Sequence, residues 1–155
     1  MQLIQMDLLE KAAWHEQLNG GSVPLLETQD GEFITDSAII SQVAIEANEG
    51  KGLDVVPKDP ILAAKMRMQI EECSKWMSPI FQVYGSRGLD ATKNANLKPT
   101  IENFNNLIKK ANGKFLLGTD EPTLLDCWFV PFLETFTDWH SPCVMQNVLT
   151  DCDYD

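Results

Sequence analysis

Apolar and polar positions change rhythm several times along the chain, and each change marks an element. Leu3 to Asp7 reads as an opening strand, and Lys11 to Leu18, with Ala12, Ala13 and Trp14, as a short helix. Asn19-Gly20-Gly21-Ser22 is a turn. Val23 to Thr28 is an apolar run of strand length, Gln29-Asp30-Gly31-Glu32 carries the Asp-Gly signal of a hairpin, and Glu32 to Thr35 is the return strand. Pro24 cannot donate to a ladder, so its place at the start of a strand is special. Asp36 and Ser37 then offer side-chain oxygens where a helix needs its first amides capped. Ile39, Ile40, Val43, Ala44 and Ala47 recur at helical spacing to about Asn48, and Glu49-Gly50-Lys51-Gly52 stops the helix.

The second half has a different rhythm. Leu53 to Lys58, with Pro57 inside it, reads as a linker. Asp59-Pro60 places a capping acid and a first-turn proline before a long helical pattern: Ile61, Ala64, Met68, Ile70, Cys73, Met77, Ile80, Phe81 and Tyr84, with a bend expected at Pro79. Gly85 to Gly88 and Asn94-Ala95-Asn96 mark a loop. A further helix is expected from about Thr100 to Asn112, striped by Ile101, Phe104, Leu107, Ile108 and Ala111, and stopped at Gly113. Phe115-Leu116-Leu117-Gly118 is a short buried connector. Thr123-Leu124-Leu125-Asp126 is a capping box that opens a nearly all-apolar helix, Cys127 to Leu133, which predicts a buried central element kinked at Pro131. Thr137 to Asp155 has weak periodicity and an acidic end, so one short helix at most is expected there.

Composition narrows the function classes. The 155 residues, 44% hydrophobic and 23% charged, suit an ordinary globular chain with a real core. A net charge of -11 argues against nucleic acid and anionic membrane surfaces, which need lysine and arginine to neutralise phosphate. No stretch approaches the ~20 apolar residues of a membrane span. The first residues have no basic region or small-residue cleavage site, so they are not read as a signal peptide. Cys73, Cys127, Cys143 and Cys152 suit neither a zinc site nor a disulfide framework. Cys73 and Cys127 lie in apolar helical patterns and are expected to be buried thiols, which fits a reducing cytoplasm. Trp14 and Trp128 are expected in the core, and His15 and His140 have no acid or cysteine beside them in sequence to suggest a catalytic pair.

Taken in order, these motifs resemble a cytosolic glutathione transferase over about Leu3 to Thr137. The carriers are the strand, the Lys-x-x-Trp helix, the Val-Pro strand, the Asp-Gly turn, the acid-Ser helix, the Phe-Leu-Leu-Gly connector and the Thr-x-x-Asp box. Asp7, Lys11, Trp14 and Pro131 look most like the omega class, which carries thiol transferase and dehydroascorbate reductase chemistry. The resemblance implies an α/β N-terminal part, an incomplete thioredoxin-like glutathione-binding domain over 1–52, a linker at 53–58, and an all-α glutathione-transferase-like helical domain over 59–155 with an acidic tail. It also implies glutathione as substrate or ligand. Val23 would pair its backbone with the cysteinyl part, as an added strand does. Pro24 matches the family's cis proline. Asp36 and Ser37 match the acid-Ser pair that holds the γ-glutamyl group, with serine suited to the carboxylate and aspartate to the ammonium. Lys11 matches the omega-class lysine that reaches the glycine carboxylate. From the residues alone, Asp36-Ser37 reads first as a plain helix cap.

In this family the activating tyrosine, serine or cysteine lies in a first strand–helix unit of roughly thirty residues. This chain is expected to begin at the second strand, and so to hold no family nucleophile. The first strand is central in the family's sheet. Its loss would leave the second strand closing onto Val23–Thr28, another chain supplying a strand, or the N-terminal region rearranged. Two main functions follow from the resemblance. One is a non-catalytic interaction or structural form that keeps a glutathione half-site, with another chain or a homodimer partner over the open sheet edge. The other is an active omega-like transferase. A glutathione binder without chemistry is a third.

Overall fold

Asp59 places its Oδ1 2.7 Å from the Ile61 amide and 3.0 Å from that of Leu62, so helix α3, Pro60–Lys75, starts where its donors first need an acceptor. The computed structural model describes residues 2–7, 10–86 and 88–137. His140, Cys143, Cys152 and the acidic tail lie outside these. The chain divides into two units, residues 1–53 and 54–155.

The first unit holds helix α1, Ala13–Asn19, strands β1, Leu25–Glu27, and β2, Phe33–Thr35, and helix α2, Ser37–Glu46. The strands pair antiparallel with Leu25 opposite Thr35 and Glu27 opposite Phe33. The hairpin closes through Thr28, whose amide donates to the Glu32 carbonyl and whose Oγ1 accepts from the Glu32 amide. This α/β part with one small sheet, followed by a mostly helical remainder, is the expected fold class. One expected strand is absent. Leu3 to Asp7 forms no strand, and Leu3 and Ile4 are exposed. A strand is held by its neighbours, and the sheet among the described residues has only β1 and β2. Nor does this segment close onto Val23–Thr28. Burial in the unit is thin: His15, 2% exposed, is its one buried side chain among the described residues. Trp14, expected in the core, is 46% exposed, with its ring edge-on to His15 at 5.5 Å.

Among the described residues, the regular elements of the second unit are all helices. Met66, Ile70 and Cys73 of α3 pack with Met77, Ile80 and Val83 of α4, Met77–Ser86, with Phe104 and Leu107 of α6, Lys98–Lys110, and with Leu125 and Phe129 of α7, Leu124–Thr137. The expected single long helix is broken at Trp76, not bent at Pro79. Trp76 caps the end of α3 with its amide donating to the Cys73 carbonyl at 3.0 Å, and its own carbonyl accepts from Thr100 Oγ1 at 3.4 Å. Pro79 falls in the first turn of α4, where an amide would have no helical acceptor anyway. The stretch read as loop contains a short helix α5, Ala91–Ala95, capped by Asp90. Phe104 meets Phe129 edge-on at 4.7 Å, which joins α6 to α7.

Helix α7 is less buried than its composition suggests. It turns Leu125 and Phe129 inward, while Cys127 and Val130 are exposed. Asp126 fastens its start. Oδ2 accepts from the Thr123 amide and Oγ1, both at 2.8 Å, and Oδ1 accepts from the Leu116 amide at 2.9 Å, so one carboxylate holds both the helix and the connector before it. No helix among the described residues is long and apolar enough to cross a membrane.

Candidate functional site

The hairpin carries four of the expected site residues at its open end. β1 and β2 pair as far as Leu25 opposite Thr35, and Val23-Pro24 directly precede and Asp36-Ser37 directly follow that last pair. Val23, Asp36 and Ser37 are exposed there, and the Val23–Pro24 peptide bond is cis.

Asp36 turns the chain from β2 into α2 with φ 77, ψ 123, a backbone conformation that a side chain strains by about 1–3 kcal/mol. Its Oδ1 caps α2, accepting from the Ala38 amide at 2.8 Å and the Ile39 amide at 3.3 Å. The Ser37 amide lies ahead of those two capped donors, and Ser41 Oγ donates to the Ser37 carbonyl at 2.7 Å. The site edge is therefore the positive end of a helix, with one hydroxyl and one carboxylate beside it.

Lys11 packs against the turn that leads into the hairpin, a contact the sequence did not reveal. Gly20 and Gly21 both have positive φ, 56 and 73. The turn they form is tied by the Asn19 side-chain amide donating to the Ser22 carbonyl at 2.8 Å. A Cβ on Gly21 would lie 2.8 Å from Lys11 Cδ and 3.3 Å from Nζ, so the lysine lies across the face a side chain would occupy. Gly21 is two residues from Val23, no more than about 7 Å of chain. The Gly-Gly pair was the available signal: two adjacent glycines at positive φ leave space as well as flexibility.

The cysteines divide by environment. Burial pushes the Cys73 thiol up to about 11, so it is protonated at neutral pH. Cys127, expected to be buried, is exposed, because the inward face of α7 is set by Leu125 and Phe129, two residues to either side. Residues 1–53 contain neither cysteine nor tyrosine. No group of three or more metal-ligating side chains occurs among the described residues.

No family model matches the chain. It is similar to glutathione S-transferase omega-1 of Mus musculus, 29% identical over 136 residues, covering 86% of this chain and 55% of that protein. It is also similar to glutathione S-transferase omega-1 of Sus scrofa, 40% identical over 75 residues, covering 48% of this chain and 30% of that protein. The chain thus spans about half the length, or less, of these curated relatives.

Proposed function

We propose that this omega-like relative of the glutathione transferases binds glutathione at the open end of its hairpin and acts as a non-catalytic interaction or structural form. The observation that supports the binding is that Val23-Pro24 and Asp36-Ser37 flank the last paired residues of the hairpin, Leu25 and Thr35. Glutathione has an extended peptide backbone, two carboxylates and one ammonium. Exposed Val23 backbone offers a strand-like pairing partner. The Ser37 amide and hydroxyl suit the γ-glutamyl carboxylate, and Asp36 suits its ammonium. Lys11, held against Gly21, is the cation on this side for the glycine carboxylate.

The non-catalytic reading rests on the thiols. A transferase of this type needs a nucleophile held as thiolate, and that state is favoured at helix N-termini or beside cations. Residues 1–53 have no cysteine, Cys73 is a buried, protonated thiol, and exposed Cys127 lies in the helical unit next in sequence to the acidic Asp126 rather than to a cation. The exposed edge of the two-stranded sheet suits a second chain, either another protein or a copy of this one, in a reducing cytoplasm. The second reading is an active omega-like transferase, with thiol transferase or dehydroascorbate reductase chemistry, and sequence similarity favours it.

Calorimetric titration with glutathione tests the binding, with Ser37→Ala as control. We expect saturable binding that weakens about tenfold in the variant. Absence of binding to the folded chain would end the proposal. Turnover of a mixed disulfide with glutathione above the buffer rate would replace the non-catalytic reading with the second. A well-folded monomer in ultracentrifugation that binds no partner would remove the interaction role.

A further inference from the structure

A groove of about 550 Å³ lies within the helical unit, between α3 and the segment from the end of α6 to Gly118. Lys65 and Lys110 line it, with Gln69, Asn112, Met68 and Leu116. Neither lysine forms an ion pair with another described residue, whereas Lys58, Lys75 and Lys93 each do. The setting makes this pair unusual. Residues 65–114 carry nine lysines and arginines against four aspartates and glutamates, while the rest of this acidic chain carries three against nineteen. The two groove lysines therefore belong to a positive stretch of a chain whose net charge is -11.

Two further features define what the groove would take. Gln69 Oε1 is buried with no hydrogen-bond partner, and a buried acceptor left unmatched costs about 1–3 kcal/mol. A ligand that brings an N–H would satisfy it. Apolar surface also continues past the groove: Ile61 and Met68 flank Lys65 on one face of α3 and are 66% and 69% exposed. Acid groups for the lysines, backbone N–H for Gln69 and apolar side chains for Ile61 and Met68 are together the chemistry of a short acidic peptide with interleaved apolar residues.

We infer that the groove between α3 and the α6–α7 connector, lined by Lys65, Lys110 and Gln69, docks an acidic, leucine-bearing peptide segment of a partner protein. A long-chain monocarboxylate would satisfy the lysines and the apolar wall, yet it offers Gln69 no donor. The groove shares no residue with the glutathione half-site, and the inference does not depend on it.

The test is fluorescence anisotropy of the full chain with a labelled peptide of alternating aspartate and leucine. Its asparagine–leucine counterpart and dodecanoate serve as competitors. We expect the acidic peptide to bind with affinity that falls as salt rises, and the asparagine peptide to compete poorly. Lys65→Glu with Lys110→Glu should weaken binding about tenfold or more, whereas Lys51→Glu, outside this unit, should change it less than twofold. Gln69→Leu should weaken binding and leave its salt dependence unchanged, and circular dichroism shows that each variant is folded. Equal binding of the two peptides, or an unaffected double variant, overturns the inference. Binding of dodecanoate without binding of the acidic peptide also overturns it, in favour of a small-amphiphile site.

Discussion

Asp126→Ala removes three hydrogen-bond acceptor contacts with one substitution, and the structure says what each loss costs. Thr123 is buried, so its amide and its hydroxyl lose their partner out of reach of water, at about 1–3 kcal/mol each. The Leu116 amide is only partly buried and recovers some hydration, so its share lies near the lower end. The sum is roughly 3–6 kcal/mol, a large part of the 5–15 kcal/mol of a typical domain. Asp126→Asn separates shape from charge. The carboxamide oxygen can face Thr123 and keep two bonds, but its NH2 then meets the Leu116 amide, donor against donor. The expected order of stability is parent, then Asp126→Asn, then Asp126→Ala. Urea unfolding followed by far-ultraviolet circular dichroism reads it. With a slope of about 2 kcal/mol per molar, the alanine variant should unfold roughly 1.5–3 M earlier. An alanine variant within about 1 kcal/mol of the parent would refute the reasoning, because Asp126 would then not be holding the connector and α7 together.

Three other expectations follow from single features. Gly113→Ala would place a Cβ 2.6 Å from the Gly118 carbonyl carbon, a backbone clash that should destabilise the helical unit by about 1–3 kcal/mol in the same urea assay. Backbone amides of Leu62 and Ile61 hold Asp59 below its ordinary value of 3.8, and the Lys93 amide does the same for Asp90. Both caps thus stabilise the fold above 3.8, and their contribution is lost as pH falls through the lowered values, so Asp59→Asn with Asp90→Asn should flatten that part of an acid titration of the urea midpoint. In a chain carrying Cys143→Ser and Cys152→Ser, Cys73, buried and pushed up to about 11, should resist a thiol reagent at neutral pH in the native state and react only on unfolding, whereas exposed Cys127 reacts at once; adding Cys127→Ser identifies which signal is which.

Much of the first unit was legible because its signals are local. The Asp-Gly turn fixes a hairpin, the hairpin fixes a register, and Asp36 caps the helix that follows whatever lies elsewhere. Features that depend on distant residues were not legible. The break at Trp76 shows only once Thr100, from another helix, reaches its carbonyl. Helix α5 looked like an asparagine-rich loop because its buried anchor, Asn94 Nδ2 donating to the Gly88 carbonyl, crosses a turn. An all-apolar helix such as α7 shows no face of its own, so the exposure of Cys127 was hidden until its neighbours were placed. Leu3 to Asp7 has a strand's pattern, but pairing is a property of two strands. The meeting of Lys11 with Gly21 depends on how a turn folds back, which side-chain spacing does not encode.

The thin burial of residues 1–53 has a thermal consequence. Unfolding raises heat capacity through the apolar surface it exposes, and the unit around the hairpin has little hidden apolar surface to expose. Its melting should be broad and low in enthalpy, with a nearly flat stability curve, while the helical unit supplies the sharp calorimetric peak. A ligand at Val23 and Ser37 would then shift the transition that contributes least to the trace. A melting-temperature screen would mainly report on the helices, and amide exchange at the hairpin is the measurement that would detect the ligand.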